Sequence, residues 1–209
     1  MSRYTRMTIP LCLLAMLLAG PGCIFSPDND DDNGGGGEDK YAWPSSKFIV
    51  LDNFQLAYDG MDYDAYVDML HEDYKFTYLE RDEDGVVTDV VGVYTFEDER
   101  SVAEKMFSGE PGWDPVEEDI VAGISDISII LFDLKNWLDV PPDDIYFGDF
   151  ENAQRVWTDV HVVFTYNNGA ATFTVESGQV FVVAPIMVEH DGVATEKWVI
   201  LGQQDEGTF

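Results

Sequence analysis

Cysteine is nearly missing from this chain. Only Cys12 and Cys23 carry a thiol among 209 residues, and both precede the stretch that has the composition of a folded domain. Disulfides, a thiolate nucleophile and Cys-ligated metals are therefore excluded from that stretch, and its stability must come from packing. Positive charge is scarce too: 11 Lys and Arg stand against 41 Asp and Glu, a net charge of −30. A surface so acidic repels a phosphate backbone, which excludes nucleic acid as a partner. No Ser-His-Asp nucleophile pattern, phosphate loop or metal-ligand spacing occurs, and no cofactor is implied. The longest apolar run, Ile9 to Ala19, is interrupted by Pro10 and too short for an ordinary membrane span. Aromatic residues, in contrast, are plentiful, with 13 Phe, 10 Tyr and 5 Trp. They argue against global disorder, and the length suits one domain with appendages.

The first 22 residues form a targeting segment. Arg3 and Arg6 give a positive start, the apolar run follows, and Gly20-Pro21-Gly22-Cys23 closes it. The arrangement resembles a bacterial lipoprotein signal, in which a Cys after a small residue is lipidated and becomes the new N-terminus. Gly22 fits that pattern; Gly20 and Pro21 depart from it, and the alternative is an ordinary secretory signal cut nearby. Ile24 rather than Asp follows Cys23. The resemblance thus implies a lipid anchor in the bacterial cell envelope, at the outer membrane, facing the periplasm or the surface. Residues 23–45 read as an acidic, Gly-rich tether whose Asp and Gly cannot bury apolar area. Asn29, Asp31, Asn33 and Gly34 have the opening spacing of a calcium loop, but Lys40 stands where its closing acid belongs. Glu80, Asp82, Asp84 and Gly85 repeat the hint with Val91 at that position, and a plain turn between strands is the simpler reading.

The chain is organised around residues 48–78. Val50, Leu51, Phe54, Ala57 and Tyr58 recur at three- and four-residue spacing, an amphipathic helix that Gly60 would end in a left-handed conformation. Asp62 stands at the N-cap position of a second helix, with Tyr66, Met69 and Leu70 on its apolar side. From Tyr74 the period changes to two, and Tyr74, Phe76 and Tyr78 alternate with Lys75 and Thr77 as in a strand. The pattern NFQLAY…MDYDAYVDMLHEDYKFTY, a later FEDERSVAEKMF helix and a closing KWVILGQQDEG strand resemble the SnoaL-like branch of the nuclear transport factor two-like superfamily. The likeness spans about residues 46–206, within a domain set at 46–209. It implies an α+β fold in which N-terminal helices pack on a strongly curved, mostly antiparallel sheet, a cone with a central cavity. It also implies a homodimer contact through the outer face of the sheet. Leu51, Phe54, Tyr58, Tyr66, Leu70, Phe76, Trp198 and Ile200 are expected to converge on one core or cavity.

Thr95 and Asp98 form a capping box ahead of a third helix, whose buried stripe is Val102, Ala103 and Met106; Glu97 and Glu99 suit its positive end. The segment 109–119, rich in turn formers around Trp113, is read as a loop packed on the domain, or as a lid. Ile127–Leu134 is nearly all apolar, as if covered on both faces, and the loop after it is long for a hairpin. Two further long strands flank Asn167-Asn168-Gly169, and His190-Asp191-Gly192 turns the chain into the last. The N-terminal helices are the only cover legible for this sheet.

Candidate chemistry is sparse. His71 is placed at the end of the second helix and His190 in a turn. Asp159 and His161 share a strand face at i, i+2 spacing, the one arrangement that resembles an oriented general base, although about 7 Å separates such positions. The cavity candidates are Tyr58, Tyr66, Phe76, Tyr78, Trp113, Trp157 and Trp198. Few charged side chains and an anchor with a tether favour a non-catalytic module that binds a small apolar or amphipathic molecule or a protein. The alternative is a cofactor-free lyase or isomerase using a cavity Asp or His. Anchoring is tested by metabolic palmitate labelling: the label is expected to disappear in Cys23→Ser, and unchanged membrane partitioning of that variant would sink the lipoprotein reading.

Overall fold

Ser46 opens the first helix by accepting the N–H of Ile49 through its side chain, and α1 runs over Lys47–Asp59. Its stripe of Val50, Leu51, Phe54 and Ala57 is buried, as the spacing predicts. Gly60 has φ −85°, so the expected left-handed residue is instead Met61, at φ 48°. Asp62 then caps α2 (Tyr63–Met69) by accepting the N–H of Ala65. The computed structural model describes residues 40–81, 87–114, 119–166 and 169–205. The signal and most of the tether lie outside these residues, as do Asp82, Asp84 and Gly85. Lys40–Ser45, counted above with the tether, lie against the domain: Asn53 donates to the Ala42 carbonyl (2.7 Å), Trp43 Nε1 to that of Glu196 (3.0 Å), and Trp198 N to that of Pro44 (2.7 Å).

The remaining elements are β1 (Leu70–Arg81), β2 (Val87–Thr95), α3 (Phe96–Phe107), β3 (Gly112–Asp114), β4 (Asp119–Val121), β5 (Ile124–Asp139), β6 (Gln154–Tyr166), β7 (Ala171–His190) and β8 (Val193–Asp205). His71 therefore lies on β1 beyond α2, with its ring against Phe150 at 5.1 Å. Six strands form one sheet in the order β2-β1-β8-β7-β6-β5; every pair is antiparallel except β1–β8. Pairing shifts at Tyr78/Leu79, Phe132/Lys135, Lys135/Leu138 and Val182/Val183 break the ladders, and irregularities of this kind bend and twist strands. The 20-residue β7 pairs with β6 along its first part and with β8 along its last. The result is a curled sheet with helices in its hollow, the α+β cone implied above.

All eight residues expected to converge belong to one core, with Tyr58 and Trp198 half-buried at its margin. Side chains on the polar flank of α1 hold the helix in place. Gln55 donates to the Ile129 carbonyl (2.8 Å), and Asp59 accepts the Ile129 N–H (2.6 Å). Ile129 is on β5, an edge strand, so one i, i+4 pair satisfies both backbone groups of an edge residue.

Two expectations about cover are corrected. Ser128 on β5 is exposed while Ile127 and Ile129 are buried, so the apolar run is not enclosed on both sides throughout. The helices are also not the sole cover. The segment 140–153 folds back over the outer face, where Phe147 and Ala153 pack with Val182, Ala184, Val199 and Leu201 in a second core. Gly202 admits this: a Cβ there would meet the Phe147 ring at 2.3 Å. The segment is long because it does the work of a helix. A contact between copies through the outer face would meet it over β7 and β8.

Phe54 is 2% exposed, and its ring lies within 5.6 Å of those of Tyr58, Tyr66 and Phe181. Phe54→Ala is expected to lower unfolding free energy by about 3–5 kcal/mol in urea titration; a loss below about 1 kcal/mol would mean that α1 does not seal the core.

Candidate ligand cavity

The cone is not filled. Phe54 and Tyr58 stand one turn apart on α1, and Glu99, Val102 and Met106 lie along one side of α3. On the sheet, Phe76, Tyr78, Ile129, Val160, Val162, Phe164 and Val175 point to the same interior, with Tyr94 on β2. Together these line a cavity of about 390 Å³, within the usual range for small-molecule sites and open to solvent beside the exposed Val102 and Tyr94. Its closed side is an aromatic cluster: Tyr58 lies 5.1 Å from Phe107, and Tyr66 5.5 Å from both Tyr58 and Phe107. These are edge-to-face separations.

Besides the tyrosines, polar side chains line the cavity at two places. The first is a ladder across β7 and β8, in which Gln203 Nε2 donates to Gln179 Oε1 (3.1 Å) and Gln179 Nε2 to Ser177 Oγ (2.6 Å). Tyr74 closes it with a longer bond to Gln203 Oε1, 3.4 Å. The second is Glu99, whose Oε1 accepts the Tyr66 hydroxyl at 2.6 Å. Burial raises the Glu99 carboxyl above its ordinary range, and the Tyr66 bond only partly offsets that. Burial raises Tyr66 well above the usual phenol range, so its hydroxyl stays protonated as a donor.

Of the sequence candidates, Tyr58, Phe76 and Tyr78 line the cavity, and Tyr66 bounds it through Glu99. The three tryptophans are elsewhere. Trp113 sits on the small β3–β4 hairpin opposite Ile120; it is 63% exposed and does not line the cavity. Trp157 is on the outer face under the Arg155 guanidinium, 5.4 Å from its ring centre, and Trp198 packs at the core margin. Along β6, Val156, Thr158, Val160, Val162 and Phe164 are buried, so Asp159 and His161 point outward. There Asp159 pairs with Lys135 (3.1 Å) and His161 with Glu176 (3.3 Å). The pair is not in the cavity.

Glu99 lies in the first turn of α3, as its place in the sequence suggests, and it has a second role that the sequence reading missed. Glu99, Val102, Ala103 and Met106 follow i, i+3, i+4, i+7 spacing. A carboxylate on the apolar stripe was the available signal. Gln179 had a weaker one, sharing strand parity with the buried Phe181. Among the described residues no group of three His, Cys, Asp or Glu is placed to hold a metal.

No family model and no curated protein matches the chain. Solved structures do. A conserved protein from Planctomyces limnophilus is 11% identical with TM-score 0.49, covering 75% of this chain and 89% of its own. A ketosteroid isomerase-like protein from Erwinia carotovora atroseptica is 9% identical with TM-score 0.42, over 76% and 90%. A nuclear transport factor two-like superfamily protein from Salmonella enterica serovar Typhimurium is 12% identical with TM-score 0.42, over 75% and 84%. The likeness is one of fold. Functions differ widely on one fold, so no residue role passes from these proteins to this cone.

The Glu99 carboxyl binds its proton more tightly in the fold than in the unfolded chain. Its contribution to stability therefore weakens as pH rises from the ordinary glutamate value through the raised one. Tyr66, the hydrogen-bond partner, stays neutral throughout that window because burial raises its hydroxyl further still. Glu99→Gln is expected to melt above the parent at neutral pH in scanning fluorimetry, with the gap closing as pH falls below the ordinary glutamate range. Superimposable curves at every pH would show that Glu99 is solvated.

Proposed function

We propose that this chain is a ligand-binding module, held at the cell envelope by a lipid on Cys23, whose cone takes up one small apolar or amphipathic molecule. The observation that carries it is the cavity of about 390 Å³ with walls that are mostly aromatic and aliphatic and a few polar groups at two points. That is the usual composition of a small-molecule site. An anchor and an acidic tether suit presentation of such a domain at a membrane. Catalysis is the weaker reading: Asp159 and His161 face away from the cavity, and Glu99 has a phenol rather than a second acid or a histidine as its hydrogen-bond partner.

N-phenyl-1-naphthylamine, neutral at pH 7 and bright only in apolar surroundings, tests the reading. The purified protein is expected to bind it saturably at one per chain. Val175→Trp, which fills part of the cavity from the sheet, is expected to weaken binding at least tenfold while circular dichroism stays unchanged. Absence of saturable binding by the parent, or full binding by a folded Val175→Trp variant, overturns it.

A further inference from the structure

Resting on the binding function proposed above, we infer that the cavity selects an organic ammonium ion, an amine carried on a compact apolar body. The first support is charge. Among the described residues that line the cavity Glu99 is the one ionisable carboxylate, and none is Lys, Arg or His. The neighbouring Arg100 does not neutralise it: its Nη1 engages Glu97 at 3.2 Å, and its guanidinium lies over the Phe96 ring. A buried carboxylate without a cation is destabilising, and glutamine would supply the same shape and the same acceptor for Tyr66 without that penalty. Tyr66 occupies Oε1, and among the described residues no hydrogen bond engages Oε2, which leaves one carboxylate oxygen for an N–H donor.

The second support is the aromatic wall of the same cavity. Phe76 and Tyr78 lie 4.7 Å apart with their planes at 61°, and Tyr78 and Tyr94 5.4 Å apart at 74°. All three rings line the cavity, so the wall that a ligand meets there is aromatic. Aromatic faces attract cations, and several around one site recognise alkylated ammonium groups. A carboxylate ligand would instead lie beside Glu99 with no cation in the described wall to receive it, so fatty acids and similar anions are disfavoured. The overall charge of −30 acts in the same direction by raising the local concentration of cations. The volume corresponds to about 13 water molecules at roughly 30 Å³ each, room for a bicyclic body with a short arm.

Three compounds of one shape separate the possibilities: 1-naphthylmethylamine, 1-naphthalenemethanol and 1-naphthoate, each displacing N-phenyl-1-naphthylamine from the purified protein at pH 7. The ammonium is expected to bind at least tenfold tighter than the alcohol, and the naphthoate most weakly. In Glu99→Gln the ammonium should lose its advantage over the alcohol. Asp159→Asn, which removes one charge from the outer face, should leave that advantage intact. Equal affinity for the ammonium and the alcohol in the parent, or an advantage that survives Glu99→Gln, overturns the inference while the binding function stands. Loss of the advantage in Asp159→Asn as well would assign it to the overall charge and overturn the inference too. Failure of all three compounds and of the fluorescent probe overturns the binding function with it.

Discussion

Burial of one side of α1 in the hollow of the curled sheet is the contact on which the rest of the domain depends. Val50, Leu51, Phe54 and Ala57 leave water there, and each large side chain contributes roughly 1.5–3 kcal/mol on burial. The helix could slide along an apolar floor, because hydrophobic burial has no direction. Gln55 and Asp59 remove that freedom by fixing both backbone groups of Ile129. One helix thus supplies non-directional stabilisation from one side and register from another.

The cavity is a consequence of geometry. A straight helix cannot fill a strongly curved sheet along its whole length: the rings of Phe54, Tyr66, Phe107 and Phe181 pack together, and a cavity remains beside them between α1, α3 and the sheet. Natural cores pack to the density of organic crystals, and an unfilled volume of this size forgoes contacts that larger side chains would make. Retaining Val and Ser on the floor where Leu or Phe would pack, and a carboxylate in a largely apolar cavity wall, departs from what stability favours. Departures of that kind concentrate at functional sites.

The outer face shows the opposite treatment. The 140–153 segment lays Phe147 against Gly202 and buries Val182, Ala184, Val199 and Leu201. Over β5, β6 and β7 the same face carries polar side chains paired across strands, Lys135 with Asp159 and His161 with Glu176. Those side chains looked chemical in the sequence because Asp and His alternate on one strand. In the fold they are cross-strand pairs at a solvated surface, where ion pairs are worth little.

Helical spacing and capping signals were sufficient to determine α1, α2, the capping box of α3 and the apolar stripes that carry Phe54 and Tyr66, because each depends on residues within one or two turns. The mostly antiparallel sheet and the place of Ile200 in its core were implied by the family resemblance. The absence of cysteine from the domain likewise settled, without any structure, that packing alone holds it together. The inward face of β6 was decided only in three dimensions: both of its alternations are mixed in polarity, and burial depends on which side α1 covers. The roles of Glu99 and Gln203 were decided there too, since their partners Tyr66 and Gln179 lie on other elements. Whether a run of aromatic residues forms a solid core or the wall of a cavity is a matter of sheet curvature. Curvature arises from bulges and twist summed over six strands, which no local stretch of sequence contains.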